Sequence, residues 1–459
     1  MIKYAFMELR LDGEILSETE KPVSRRNFIK YAGAGIIAAA AIGGGYYYYT
    51  STGERKTPDG KTITSPTVEP TETPKGEPIK IGCPLVLTGT YAYYGVEMGQ
   101  GIEIAVDEIN ANGGINGRPV ETIIRDTELT PAVATRRVNE LIEREKIDFI
   151  VGVLGSQVNF AINEISKREK IPFMVGNQTE TTMHTKDVLS PYAAFPMTVN
   201  QTAAYANIAT TVDKIGSKHY ILTVDYVWGH EQEEMSKKAL EKFGGEFIGN
   251  QRFPLGTTDF AGFLSKAREE KPDVLVVIAG GSDQINCLKQ AVEFGMNKEM
   301  GIMVPTTTTS IAYAAGGAQV FQDMYVGIDW YYKIGESNLP YAAKAKELND
   351  RFVERYGRPG DAYSLGNYVG MMEICKAAER AGSTDPDKVK AELEGHNFEY
   401  HKGPENWRAC DRQAIQDWLV VKGLPPEETT GEYDFFEIVD LRGKENPDEY
   451  IATCEELGY

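Results

Sequence analysis

From Ile79 onward the sequence switches repeatedly between two periodicities, and that switching restricts the possible folds more than any other feature. Ile79, Ile81, Cys83 and Leu85 alternate as a strand does, whereas Ile102, Ala105, Val106 and Ile109 fall at the i, i+3, i+4, i+7 spacing of a helix. Strand character returns over residues 120–124, helix at Ala134, Val138, Leu141 and Ile142, strand over 148–153, helix at Ala161, Ile162 and Ile165, and strand over 172–175. A second series begins after Pro196, with strands over 220–224, 247–253 and 273–279 and helices around Met235, Phe263 and Leu288. Strands linked through helices pair in parallel and need cover on both faces, so the spacing predicts an α/β chain with parallel sheets. Residues 326–330 read as a strand returning to the first sheet, followed by helices over 340–356 and 362–381.

The first 78 residues have a different character. Ser24-Arg25-Arg26-Asn27-Phe28-Ile29-Lys30 precedes an uncharged stretch and resembles a twin-arginine signal, which implies export of the folded chain by the Tat translocase. The chain is therefore expected outside the cytoplasm, in a periplasm or at the cell surface. Residues 31–49 carry no charge and just reach the roughly 18–20 residues of a spanning helix. They read either as an uncleaved membrane anchor, with Tyr46 to Tyr49 at the outer interface, or as a cleavable apolar region; the anchor is favoured. Residues 50–78, rich in Thr, Pro, Ser, Glu and Lys, cannot bury enough surface to offset their ordering entropy and read as a disordered tether.

Composition excludes several partners. The formal charge of −19 argues against nucleic acid, whose phosphates would be repelled, but leaves a small solute open because a cleft's field need not follow net charge. The five cysteines show no metal-type pairs; an oxidising compartment allows one disulfide, with Cys410 and Cys454 the candidate pair, and Cys83 reads as a buried thiol. Enzyme-like strings fail on context. Gly33-Ala34-Gly35-Ile36-Ile37-Ala38 follows no strand, and His230-Glu231-Gln232-Glu233-Glu234 lacks the second histidine of a zinc site, so its acids read as solvated helix charge. No cofactor, metal or catalytic group is expected.

Gly89-Thr90-Tyr91-Ala92-Tyr93-Tyr94-Gly95 and Asn110-Ala111-Asn112-Gly113-Gly114-Ile115-Asn116-Gly117-Arg118 resemble the opening of type I periplasmic binding proteins of the branched-chain amino acid and amide class. That resemblance implies two Rossmann-like lobes joined by three chain crossings, with a solute held between them. It places residues 79–197 and 328–412 in one lobe and 198–327 and 413–459 in the other. It also implies an ABC permease and ATPase as partners. A ligand-sensing module of a signalling system, or an amide hydrolase, fits less well.

Open α/β sheets hold ligands beyond the carboxyl ends of their strands. The loops there contain Tyr94, Ser156 and Gln157, Asn177 and Thr179, and Tyr226 and Trp228. Ser156 precedes a helix, so its hydroxyl and the free amides nearby suit a carboxylate or carbonyl oxygen, or else it simply caps the helix. The resemblance assigns carboxylate binding to Ser156, Asn177 and Thr179, and assigns Tyr94 and Trp228 to opposite walls. One departure stands out. Thr306 follows Pro305 where amino-acid binders of this class carry an acid, and a buried ammonium without a counter-charge is costly. A neutral amide or an amine-free carboxylate fits at least as well, unless Asp283 supplies the acid rather than capping its helix. Sequons at Asn177 and Asn200 offer glycan acceptors, although a sugar at Asn177 would block closure.

Overall fold

The computed structural model describes residues 76–459, with three two-residue strands, Tyr48–Tyr49, Arg55–Lys56 and Thr62–Ile63, that pair antiparallel with one another. Two of these fall in the segment expected as a tether. The twin-arginine motif and the rest of the apolar stretch and tether lie outside the described residues. Among the described residues no helix is long and apolar enough to cross a membrane.

The first lobe is built on five parallel strands: β1 (Ile79–Leu85), β2 (Val120–Asp126), β3 (Phe149–Gly152), β4 (Phe173–Val175) and β5 (Ala193–Ala194), in the order β2-β1-β3-β4-β5. Helices α1 (Ala92–Ala111), α2 (Pro131–Glu140) and α3 (Ser156–Glu169) make the crossovers. Alternation along β3 explains why both faces need cover. Phe149 and Val151 join the core that contains α1, whereas Ile150 joins the one beneath α2 and α3.

The second lobe repeats the scheme with α4 (Asn200–Lys214), β6 (Lys218–Val224), α5 (Val227–Phe243), β7 (Glu246–Phe253), α6 (Ala261–Glu269), β8 (Val274–Ile278), α7 (Gly281–Glu293), β9 (Gly301–Val304), α8 (Thr309–Ala315) and β10 (Tyr325–Ile328). Here the expected return to the first sheet fails, because β10 pairs parallel with β9 in the second sheet. An apolar run reads the same in either lobe, and periodicity does not name its partner strand. The chain re-enters the first lobe through α9 (Ala342–Tyr356), α10 (Ala362–Ala381) and α11 (Pro386–Leu393), followed by a hairpin, β11 (Asn397–Tyr400) with β12 (Gly403–Asn406). It then crosses again to add β13 (Trp418–Gly423) and β14 (Phe436–Arg442). These last strands run antiparallel, giving the mixed order β7-β6-β8-β9-β10-β13-β14 rather than a wholly parallel sheet. Only a 3₁₀ turn, Pro426–Glu428, lies between β13 and β14, so the chain turns back without an α-helical crossover.

The three crossings lie side by side and are tied together. Phe195 and Gln413 pair as a parallel bridge, and Gln416 Nε2 donates to the Pro196 carbonyl at 2.8 Å. Thr198 donates to Asp329 at 3.3 Å, and buried Lys402 joins Asp329 at 2.5 Å to Gln416 Oε1 at 2.6 Å. A buried ammonium is tolerable only with such full pairing. Cys410 and Cys454 form the expected disulfide, and Cys83, Cys287 and Cys375 are buried free thiols.

Helices α1 and α10 pack so closely that a Cβ on Gly101 would meet the Ser364 carbonyl oxygen at 1.7 Å. Gly262, exposed in α6, has nothing within 4 Å of its added Cβ. Gly101→Ala is expected to lower unfolding free energy in urea by about 3 kcal/mol through overpacking. Gly262→Ala is expected to raise it by about 0.5–1 kcal/mol through helix propensity.

Candidate functional site

Loops at the carboxyl ends of the strands from both lobes line a shared cavity that is partly open to solvent. The first lobe contributes Tyr91 and Tyr94 where α1 begins, Leu154, Gly155 and Ser156 at the entry to α3, Asn177 and Gln178 after β4, and Tyr363 at the start of α10. The second contributes Tyr226 and Trp228 entering α5, Gly280 after β8 and Thr306 after β9.

The apolar wall is an arc of five rings that passes from one lobe to the other. Centroids lie 4.6 Å apart from Tyr363 to Tyr94, 5.6 Å from Tyr94 to Tyr91, 6.1 Å from Tyr91 to Tyr226 and 6.2 Å from Tyr226 to Trp228. Edge-to-face and offset contacts of this kind give rigid, wide apolar surface with polar tips. Burial raises the pKa of Tyr91, Tyr94, Tyr226 and Tyr363, so each hydroxyl keeps its proton.

The lobes touch directly beside this arc. The Tyr94 hydroxyl accepts the Gly281 amide of the opposite lobe at 3.1 Å, and the Ser282 amide donates to the Thr90 carbonyl at 3.4 Å. Gly281 sits at φ +54, and a Cβ there would meet the Thr90 oxygen at 2.2 Å. Only glycine allows that approach.

The other end of the cavity is polar. Gly155 occupies the N-cap of α3 with φ 95, so Ser156 becomes the first helical residue and lines the cavity instead of capping. Asn177 also lines it, but its carboxamide accepts from Asn159 Nδ2 at 3.0 Å and donates to the Gln178 carbonyl at 2.6 Å. The Thr306 carbonyl accepts from Gln284 Nε2 at 2.7 Å, which fixes the loop after β9.

Tyr94, Ser156, Asn177, Tyr226, Trp228 and Thr306 are thus brought together as the sequence suggested, and three other candidates are not. Gln157 is exposed, because one step along α3 turns a side chain off the face that carries Ser156. Thr179 lies 2.8 Å from His184 Nε2, and His184 Nδ1 lies 2.8 Å from Asp411 Oδ2; this fully buried line supports the loop from below. Asp283 neither lines the cavity nor caps α7; it accepts the Gly256 amide at 2.9 Å. Glu231, expected in solvent, turns inward to accept the Thr181 amide at 2.7 Å and Asn200 Nδ2 at 2.9 Å. Both sequon asparagines are buried, Asn200 completely, so neither is presented to a glycosylating enzyme in the folded chain.

Tyr91, Leu154, Gln178, Gly280 and Tyr363 escaped the sequence reading. Tyr91 shares a string with Tyr94, and its strand-end position was the available signal. Tyr363 had none, since only the third dimension carries α10 to the cleft. Among the described residues, no cluster of acids, histidines or cysteines is arranged to hold a metal ion.

Two α/β lobes meeting over a cavity at the ends of their strands define a hinged solute-binding protein. The chain belongs to the periplasmic binding protein family, which it matches over residues 78–425. Leu/Ile/Val-binding protein homolog 7 of Brucella abortus is 24% identical over 361 residues, covering 73% of this chain and 88% of that relative. The amino acid ABC transporter substrate-binding protein of Pseudomonas fluorescens Pf-5 superposes with a TM-score of 0.73 at 24% identity, over 80% of this chain and 96% of that one. A solute-binding protein of an ABC transporter from R. palustris, solved with benzoate, gives 0.69 at 19% identity over 79% and 96%. Those likenesses show the fold.

Tyr94→Phe keeps the ring and removes the oxygen that accepts the Gly281 amide. The loss is expected to weaken solute binding about fivefold, near 1 kcal/mol, with the thermal midpoint of the solute-free protein nearly unchanged. Isothermal titration and calorimetric melting together check it.

Proposed function

We propose that this chain is the extracytoplasmic receptor of an ABC importer, capturing a small organic solute by closure of its two lobes and presenting the closed pair to a permease. The observation that carries the reading is the division of the cavity wall between lobes, with Tyr91, Tyr94, Ser156 and Tyr363 on one side and Tyr226, Trp228 and Thr306 on the other. A solute there contacts both walls only when they meet, so binding shifts the open-closed equilibrium by its differential affinity. Energy for transport then comes from the partner ATPase. Family membership supports the extracytoplasmic location. The twin-arginine segment supports export by the Tat translocase, and residues 31–49 serve as a membrane anchor in this reading.

The cavity favours a solute with an apolar or aromatic body and one polar end. Five rings surround the body, while Ser156, the start of α3 and the loop at Asn177 and Gln178 meet the polar end. Relatives named for Leu, Ile and Val and a structural neighbour holding benzoate support that range of branched-chain amino acids, amides and small carboxylates. The site residues act by enclosure and hydrogen bonding, not by catalysis.

A thermal-shift screen of amino acids, amides and aromatic acids identifies solutes, because a guest bound only by the native form raises its stability. Trp228→Ala is then expected to cost about 2 kcal/mol of binding, roughly thirtyfold in Kd, with the far-ultraviolet spectrum retained. An unchanged Kd by calorimetry removes Trp228 from the site.

A further inference from the structure

No charged side chain lines the cavity among the described residues, yet a buried carboxyl, Glu180, follows the lining residues Asn177 and Gln178 by two positions in the chain. Glu180 follows Asn177-Gln178-Thr179 in the loop that floors the site. It is 3% exposed, and neither of its oxygens has a partner at hydrogen-bonding geometry. The Ser156 hydroxyl, which faces the cavity, is the side-chain donor that bears on it, and Tyr226 of the opposite lobe feels its charge. Lining groups of both lobes therefore interact electrostatically with this carboxyl.

A second orphan stands next to it. Gln178 Nε2 is buried and donates to nothing, while Gln178 itself lines the cavity. Buried polar atoms without partners are costly, so the loop presents an unfilled acceptor and an unfilled donor together. A solute group that supplies N–H to Glu180 answers the acceptor, and a carbonyl on the same group answers Gln178. A bare carboxylate has no hydrogen to donate and adds a like charge.

The surroundings of Glu180 are acidic. Burial pushes its pKa up to about 7, partly offset by the Ser156 hydroxyl and its own backbone amide. On α5, burial and then the charge of Glu180 push Glu231 up to about 8. Lys238, further along α5, senses Glu231, and no cationic side chain is among the groups that set the titration of Glu180. The two acids titrate as a pair near neutrality.

We propose that Glu180 selects the solute by its polar end, accepting N–H from an amide or an ammonium and rejecting an unaccompanied carboxylate. This rests on the receptor reading above and names the chemistry of the guest. The two N–H sources differ in how they respond to pH. An ammonium needs ionised Glu180 and binds more tightly as pH rises through about 7. An amide pairs with either form of the acid and is nearly indifferent. A carboxylate is repelled by ionised Glu180 and binds more weakly as pH rises.

The test uses the full chain and three guests with one branched body, isovaleramide, isoamylamine and isovalerate, titrated by calorimetry at about pH 6 and about pH 8, either side of the acid's pKa. At the higher pH the amide or the amine is expected to bind at least about tenfold more tightly than isovalerate, and the gap narrows at the lower pH. In Glu180→Gln the gap is expected to lose its pH dependence and shrink to about threefold or less, whereas Glu180→Asp keeps the wild-type pattern. Should the Gln variant fail to fold, the wild-type and Asp profiles still decide. Isovalerate binding as tightly as the others at about pH 8, or a gap unmoved by pH and by Glu180→Gln, overturns the proposal. If none of the three binds while a solute from the thermal-shift screen does, the proposal falls and the receptor reading stands; if no solute of that screen binds or compacts the protein in small-angle scattering, the receptor reading itself falls.

Discussion

One carboxylate holds the two lobes against each other. Asp361, at the N-cap of α10 in the first lobe, accepts the amides of Thr309 and Ser310 at 2.6 and 3.1 Å and the Ser310 hydroxyl at 2.5 Å, all from the start of α8 in the second. It also completes the capping box of its own helix with Ser364. Two helix N-termini in two lobes therefore converge on a single buried anion, where dipoles and free amides favour negative charge. Separating the lobes strips those donors from Asp361 and leaves it with Arg358 of its own segment, 3.0 Å away, and its own helix. Glu97 lies beside it, accepting the Thr308 hydroxyl at 3.0 Å, and burial followed by the Asp361 charge raises its pKa well above the carboxylate range. A proton retained there avoids a second anion in the interface.

This tie adjoins the aromatic cavity without lining it, two residues before Tyr363 on one side and two after Thr306 on the other, so it works on closure and not on the solute itself. The closed arrangement carries stabilisation of its own, so a solute needs to supply only the remaining difference in free energy between open and closed forms. At the opposite edge, the crossings are held by Lys402, Asp329, Gln416 and Thr198, none of which lines the cavity. Crossings bound to one another bend together, which directs motion into opening and closing rather than sliding. The arc from Tyr363 to Trp228 draws its rings from both lobes, so modest rotation assembles or parts its two halves.

Much of this architecture was legible in the sequence because burial imposes periodicity. Alternation at Ile79, Ile81, Cys83 and Leu85 and the helical spacing from Ile102 to Ile109 report the two-sided cover of a parallel sheet. The segment at 326–330 was misplaced because an apolar strand fits either sheet, and the antiparallel β13 and β14 are joined by a connection without an α-helix that no hydrophobic pattern announces. In the site, strand ends pointed correctly to Tyr94, Ser156, Tyr226 and Trp228. Direction within a loop was less readable. Gln157 faces solvent, Thr179 faces His184 and Asp283 faces Gly256, each decided by a partner distant in sequence. Tyr363 acquires its place only when helices far apart in the chain meet.

The central claim is that one guest closes two jaws built on separate sheets, and an interlobe distance tests it most directly. Spin labels at Glu143 in the first lobe and Lys289 in the second, both exposed, report the distance between lobes by pulsed electron resonance with and without an identified solute. The account predicts a broad or longer distribution in the free protein that collapses to one short distance at saturating solute. A distribution that stays the same while calorimetry shows the solute bound would contradict it.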